Sequence, residues 1–278
     1  MRLVSYDDGR VGHLIGDGEI IPLAGSMRTV IERWARDGAR PTPLRADVTL
    51  LRDATLRTPV MDPSKIIAAP VNYRDHQVEM SVDAQVGALG FFLEAPSSLL
   101  DPGGTIQLPY HDRRFDQEGE LAVIIGRTAC KVDEDEALDY VFGYTGLLDI
   151  TMRGGEDRST RKSFDTFTPM GPVLVTADEF GDPRNVELRC WVNGELRQQA
   201  NTADLIWSVA TLISYASSVT TLYPGDVVTT GTPAGVGPIA AGDDIRLELS
   251  GIGLPLTARV AADHTIACPT SGANRCPV

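Results

Sequence analysis

Asp116-Gln117-Glu118-Gly119-Glu120-Leu121-Ala122-Val123-Ile124-Ile125 is the stretch on which the reading turns. Its second half is an apolar, β-branched run stopped by Gly126, as expected of a buried strand. Its first half feeds carboxylates into that strand. Side chains two apart on a strand share a face, so Glu118 and Glu120 project together. Adjacent carboxylates repel unless a cation sits between them. Carboxylate oxygens suit hard divalent ions such as Mg²⁺, Mn²⁺ or Ca²⁺. Gly119 has no side chain and lets the opposite face pack closely. A solvated acidic strand edge has the same pattern, so the pair alone leaves both readings open.

Other segments bear on the choice. Asp149 ends the uncharged run Gly143-Tyr144-Thr145-Gly146-Leu147-Leu148. A carboxylate there is a turn-former, an ion-pair partner or a ligand. With Glu118 and Glu120 it would complete three carboxylates, leaving room for water and substrate around an ion. In Asn72-Tyr73-Arg74-Asp75-His76-Gln77-Val78-Glu79 the pattern over 73–80 is helical, so His76 and Glu79 can touch. A Glu beside a His orients the ring for general base work; an incidental surface His reads the same way. Lys162 is one of only three lysines, with Lys65 and Lys131. It could bind a carboxylate or an oxyanion, or be solvated. The Gly/Pro-rich segment 224–237 could present backbone N–H groups to an anion or be a structural turn.

Around these segments the chain is strand-rich. Residues 3–6, 13–15 and 20–23 are strand-like and separated by Asp8-Gly9 and Asp17-Gly18, a hairpin signal. Ser26 caps an expected helix over 27–35, stopped by Gly38. Residues 40–63 read as a Pro- and Arg-rich linker. Further strands are expected over 65–69, 91–93, 143–151, 172–176, 186–193, 195–199, 227–230, 245–249 and 254–260. A short acidic helix is expected over 133–140 and a longer one over 205–217, capped by Asp204. The fold class is α+β and mainly β, since strands do not alternate with helices as in doubly wound or barrel folds. The domain reading is a small N-terminal unit with linker over 1–60, a main unit over 61–262 and a tail over 263–278. No GxGxxG, Walker or GxSxG motif occurs.

Composition narrows the function. With 25 basic and 38 acidic residues among 278, the formal charge is −13, which disfavours nucleic acid as a partner. The uncharged stretch 205–225 is punctuated by Ser, Thr, Tyr and Pro224, so no membrane span is expected. No secretory signal is read at the N-terminus. Cys130, Cys190, Cys268 and Cys276 form no CxxC pair, as expected of buried thiols in a reducing cytoplasm. A disulfide between Cys268 and Cys276 stays open.

Taken in order, these pieces resemble the fumarylacetoacetate hydrolase family. They are Lys65-Ile66-Ile67, Asn72-Tyr73 with His76 and Glu79, and Asp116-x-Glu118-x-Glu120-Leu121. Gly143-Tyr144-Thr145 with Asp149 follows, then Lys162 with Phe167-x-Pro169-x-Gly171-Pro172. Val192-Asn193-Gly194-Glu195 and Leu222-x-Pro224-Gly225-Asp226 with Thr230-Gly231-Thr232-Pro233-x-Gly235-Val236-Gly237 complete the set, which covers about 62–262. The resemblance implies a mixed β-sandwich roll, usually a homodimer, and a Mg²⁺ or Mn²⁺ site on Glu118, Glu120 and Asp149. It implies catalytic His76 and Glu79 on a lid together with catalytic Lys162, and Arg153, Tyr73, Gly231 and Thr232 around the substrate.

The implied activity is hydrolysis of the C–C bond of an acylpyruvate or 2,4-diketo acid, fumarylpyruvate- or fumarylacetoacetate-like, through a metal-bound enolate. The alternative is an isomerase or decarboxylase of 2-hydroxymuconate-type or 2-oxo dicarboxylic acids in aromatic catabolism. A third reading is a metal-stabilised small-molecule binder without turnover. Three departures bear on the oxyanion site: Leu148 stands where many members have Asn, Glu156 where Gln is common, and Glu94 where many have Lys.

Overall fold

Three β-sheets and a few short helices make up the protein, seen in a computed structural model that describes all residues except 17, 39, 45, 46, 264 and 272–278. The chain opens with the meander β1 (Arg2–Tyr6), β2 (Arg10–Ile15) and β3 (Glu19–Leu23), followed by α1 (Met27–Asp37). Ser26 caps α1 by accepting from the Thr29 N–H, and Gly38 ends it in the left-handed conformation. Short strands β4 (Thr49–Leu50) and β5 (Leu56–Arg57) lie within the expected linker, which therefore carries ladder pairs to β3 and β1.

Next come β6 (Ile66–Ala68), α2 (Arg74–Glu79), α3 (Val86–Leu89), β7 (Phe92–Glu94), β8 (Leu99–Leu100) and β9 (Thr105–Gln107). The site-bearing middle holds β10 (Phe115–Gln117), β11 (Gly119–Ile125), β12 (Val141–Leu148), β13 (Thr151–Met152), α4 (Arg158–Lys162) and β14 (Thr168–Thr176). After α5 (Ala177–Phe180) come β15 (Glu187–Val192) and β16 (Glu195–Asn201), joined by Asn193-Gly194 with both φ angles positive, the hairpin geometry expected. The chain continues through α6 (Val209–Val219), β17 (Val227–Thr229), β18 (Gly237–Ile239), β19 (Asp244–Leu249) and β20 (Leu256–Ala261).

The largest sheet runs β4-β3-β2-β1-β14-β12-β11-β17-β6-β7, with β5 on β1 and β8 on β14. The N-terminal strands thus join the same sheet as β11, through the β1–β14 pair. Most pairs are antiparallel, while β17–β6, β14–β8 and β20–β9 are parallel. A five-stranded sheet, β16-β15-β19-β20-β9, faces the centre of the large one. Between them Leu121, Val123 and Val173 pack with Leu188, Cys190 and Leu247. On the other face of the large sheet, Ala122, Ile124, Phe142 and Leu174 pack with Val30 and Ile31 of α1. Burial on both faces explains why 121–125 is continuously apolar rather than alternating.

Several expectations need correction. The helix expected over 205–217 starts later, at Val209, and Ser208 caps it rather than Asp204. Residues 205–207 are instead an isolated bridge followed by a bend: Leu205 bridges Tyr73, Ile206 N–H donates to Asn72 O, and Trp207 N–H donates to Asn72 Oδ1. The strand expected over 143–151 stops at Leu148, because Asp149 N–H donates to Glu118 O and Ile150 N–H to Phe167 O. The helix at 133–140 is 3-10, over Glu134–Tyr140. Glu118 is not inside one strand with Glu120. It sits between β10 and β11, which belong to different sheets. The Gly/Pro-rich segment contains β17 and runs at Gly237 into β18, which pairs with β10.

Among the described residues no helix is long and apolar enough to cross a membrane. Cys130, Cys190 and Cys268 carry free thiols. Asp17 of the second hairpin turn and Cys276 of the open disulfide lie outside the described residues.

Candidate active site

The turn between β10 and β11 brings carboxylates together. Glu118, Glu120 and Asp149 each offer an oxygen within 4.8 Å of the others. All three are at most 5% exposed, so water cannot screen their repulsion. Gly119 makes this close turn possible: a Cβ there would lie 2.8 Å from Leu247 Cδ1 and 3.3 Å from Cys190 Cβ. Its N–H donates to Gln198 Oε1 at 2.9 Å.

Cations brace the cluster. Lys162 Nζ donates to Glu118 Oε2 at 2.8 Å and to Asp149 Oδ2. Arg153 donates to Glu118 Oε1 at 2.7 Å and to Asp116 Oδ2 at 2.6 Å. Burial works to raise the Glu118 carboxyl, but Lys162 and Arg153 outweigh it and hold it low. Glu120 and Asp149 go the other way. Burial raises both, the charge of Asp149 adds to the shift of Glu120, and that of Glu118 adds to the shift of Asp149. Asp149 Oδ1 is buried without a partner among the described residues. Three carboxylates against the Lys162 ammonium and the Arg153 guanidinium, which Asp116 shares, keep an excess of negative charge and one oxygen without a partner, and so fit a hard divalent cation.

Across the same cleft lies the histidine. α2 forms as the pattern predicts, and His76 Nδ1 lies 3.1 Å from Glu79 Oε2. Glu79 Oε1 accepts the Gly235 N–H at 2.9 Å, which ties α2 to the loop after β17. Gly235 has φ +95°, and a Cβ there would lie 1.9 Å from Arg197 O, so only glycine fits.

The remaining sequence-predicted residues are placed unequally. Arg153, Lys162 and Thr232 line the cleft with His76 and the three carboxylates. Thr232 also donates to Gly119 O at 3.0 Å. The Gly231 N–H is directed at Glu120 Oε2, 2.9 Å away. Tyr73 is fully buried ahead of α2, close enough to Glu120 for that carboxylate, after burial, to raise its hydroxyl, which has no partner among the described residues.

The departures are also placed. Leu148 is a core residue. Glu156 is turned to Arg113, 2.6 Å away, and to Thr270, and does not line the cleft. Glu94 is buried at the end of β7, accepting from Thr168 at 3.2 Å. Burial and the nearby Asp149 charge raise its carboxyl.

Sequence reasoning missed Arg158 and Arg161, which line the cleft, and gave Asp116 no role. Their spacing before Lys162 was the available signal. A wider concavity over β19 and β20, lined by Trp191, Arg246 and Arg259, lies away from the carboxylate cluster.

A mixed β fold carrying a buried carboxylate triad opposite a His–Glu pair defines a class of metal-dependent enzymes acting on small acids. Residues 65–261 match the family described as Fumarylacetoacetate (FAA) hydrolase C-terminal, and the chain belongs to that family. It is 46% identical over 279 residues to maleylpyruvate hydrolase of Aquipseudomonas alcaligenes, covering 91% of this chain and 97% of that protein. A crystal structure of maleylpyruvate hydrolase from Sphingobium sp. SYK-6 with manganese(II) and pyruvate is 38% identical, with TM-score 0.79 over 94% of this chain and 99% of that one. A 5-carboxymethyl-2-hydroxymuconate delta-isomerase from Mycobacterium smegmatis is 34% identical, with TM-score 0.80 over 95% and 100%.

Proposed function

We propose that this chain is a divalent-metal-dependent hydrolase that cleaves the carbon–carbon bond of an acylpyruvate or related 2,4-diketo acid. One observation carries the reading: a buried Glu118–Glu120–Asp149 cluster faces the same cleft as a hydrogen-bonded His76–Glu79 pair. Similarity to the two maleylpyruvate hydrolases supports it.

Glu118, Glu120 and Asp149 would hold Mn²⁺ or Mg²⁺. When bound, the ion supplies a Lewis acid that polarises a 2-oxo acid and stabilises negative charge developing on it. His76 has Nδ1 tied to Glu79, which leaves Nε2 as the ring atom to take a proton from water. Glu79, fixed by the Gly235 N–H, keeps the ring oriented. Lys162 places an ammonium beside the carboxylates, where it can meet a substrate oxygen. Arg153 acts mainly through Glu118 and Asp116, both of which it holds. The Gly231 N–H steadies Glu120, and the Thr232 hydroxyl steadies the Gly119 turn.

The match over 65–261 supports a catalytic unit over 61–262, with 1–60 as an appended unit and 263–278 as a tail. A homodimer is the family's usual assembly. Free thiols at Cys130, Cys190 and Cys268 suit a cytoplasmic location. The second reading is an isomerase or decarboxylase, favoured by similarity to the Mycobacterium smegmatis isomerase. The same cleft without a positioned water would move a double bond or a proton instead. Incubation of an acylpyruvate in H₂¹⁸O decides: label in the released carboxylate marks hydrolysis, and isomerised substrate without acid release marks the second reading.

A further inference from the structure

Two arginines in the cleft have no assigned task. Arg153 is engaged by Asp116 and Glu118, Lys162 by Glu118 and Asp149, and Arg113 by Glu156. Among the described residues no ion pair or side-chain hydrogen bond engages Arg158 or Arg161, yet both line the cleft. Arg161 Nε is buried with no partner. Its burial, with Arg153 and Arg158 beside it, works against its own charge and outweighs the more weakly acting Glu118 and Glu156. A buried guanidinium edge facing other guanidiniums is costly unless an anion meets it.

We propose that Arg158 and Arg161 form a carboxylate-binding pair for the end of the substrate remote from its 2-oxo acid group. The preferred substrates are then 2-oxo acids bearing a second, distal carboxylate. This rests on the reading of the cleft as a 2-oxo acid site.

The geometry of α4 supports it. Arg158 and Arg161 are three apart on one helix, so their side chains can converge. The next residue, Lys162, turns to the triad instead. One short helix therefore serves both charged ends of a substrate. The planar guanidinium fork matches a carboxylate in bidentate fashion. The rest of the cleft wall includes Val71, Met80, Val82 and Phe92, apolar groups suited to a carbon spacer.

The test compares binding with turnover. In the Mn²⁺-loaded protein, affinities for 2-oxoadipate and for 2-oxohexanoate are measured by calorimetry, since the two differ in the distal carboxylate. The native chain is expected to prefer 2-oxoadipate by about tenfold or more, as a charge-assisted bidentate pair provides. R161M and R158M, which keep an unbranched apolar stem and lose the guanidinium, should each erase most of that preference and leave 2-oxohexanoate binding within about twofold. Equal native affinities, or equal losses on both acids, would overturn the pair as a distal reader. In parallel, kcat/KM is measured on acetylpyruvate and on fumarylpyruvate. The arginine variants should lose about 10- to 100-fold on fumarylpyruvate, mostly in KM, and little on acetylpyruvate. Preference in binding with no cleavage of either acylpyruvate would contradict the hydrolase reading while sustaining the arginine pair.

Discussion

Glu79 joins two elements that both reach the cleft, α2 through His76 and the loop after β17 through Thr232: one carboxylate oxygen lies 3.1 Å from His76 Nδ1 and the other accepts the Gly235 N–H at 2.9 Å. Both oxygens are therefore engaged, and the imidazole is held by an anchor outside its own helix. This is the arrangement expected of a base whose ring must not turn.

The first prediction concerns that base. His76→Ala should reduce kcat on a cleaved acylpyruvate by roughly 10²–10⁴-fold, the usual contribution of a positioned general base. Mn²⁺ affinity, measured by calorimetry, should stay within a few-fold, because His76 is not among the three clustered carboxylates. Unchanged turnover would remove the dyad from the reaction.

Gly235→Ala should damage the same anchor through the backbone. A Cβ would lie 1.9 Å from Arg197 O at φ +95°. The expected cost is about 1–3 kcal/mol of stability from backbone strain and displacement. Chemical denaturation reads this. A native midpoint would contradict the tight approach.

Glu120→Ala should abolish stoichiometric Mn²⁺ retention, since it removes one of the three clustered carboxylates. Metal analysis of the dialysed variant is the check, with circular dichroism showing that it is folded. Full retention would move the metal elsewhere.

Lys162→Met should destabilise the metal-free protein by about 3–5 kcal/mol, the usual effect of leaving a buried charge unpaired. Glu118 and Asp149 are the charges left behind. Added Mn²⁺ should then raise Tm more in the variant than in the native chain. An equal rise in both would mean that lysine and metal do not stabilise the same carboxylates.

Asp226 offers a test away from chemistry. It is buried and accepts from the backbone N–H groups of Ser64 at 3.0 Å and Tyr223 at 2.8 Å and from Lys65 Nζ at 2.6 Å. Asp226→Ala leaves those donors buried or half-buried and should cost about 3–5 kcal/mol. A denaturation midpoint near native would contradict that count of partners.

Much of this was legible in the chain itself. The apolar run 121–125 announces a strand covered on both faces, and α1 with the second sheet provides the two covers. Ser26 and Gly38 mark α1 because capping is local chemistry. The spacing of His76 and Glu79 needs only one helical turn. What escaped depends on distant partners. The chain over 205–207 has helical character but is held out of the helix by Asn72, more than a hundred residues away in sequence. Glu118 leaves the strand because β10 joins another sheet, which no local pattern reveals. Arg158 and Arg161 drew no reading from the sequence, and only the folded cleft shows them without an ion-pair partner among the described residues.

The most direct test of the central claim is pyruvate release from fumarylpyruvate by the purified protein, stripped of metal and then given Mn²⁺. The account predicts no release without metal, and on reconstitution one pyruvate and one fumarate for each enol consumed. Loss of enol absorbance without pyruvate, or pyruvate release indifferent to chelation, would contradict it.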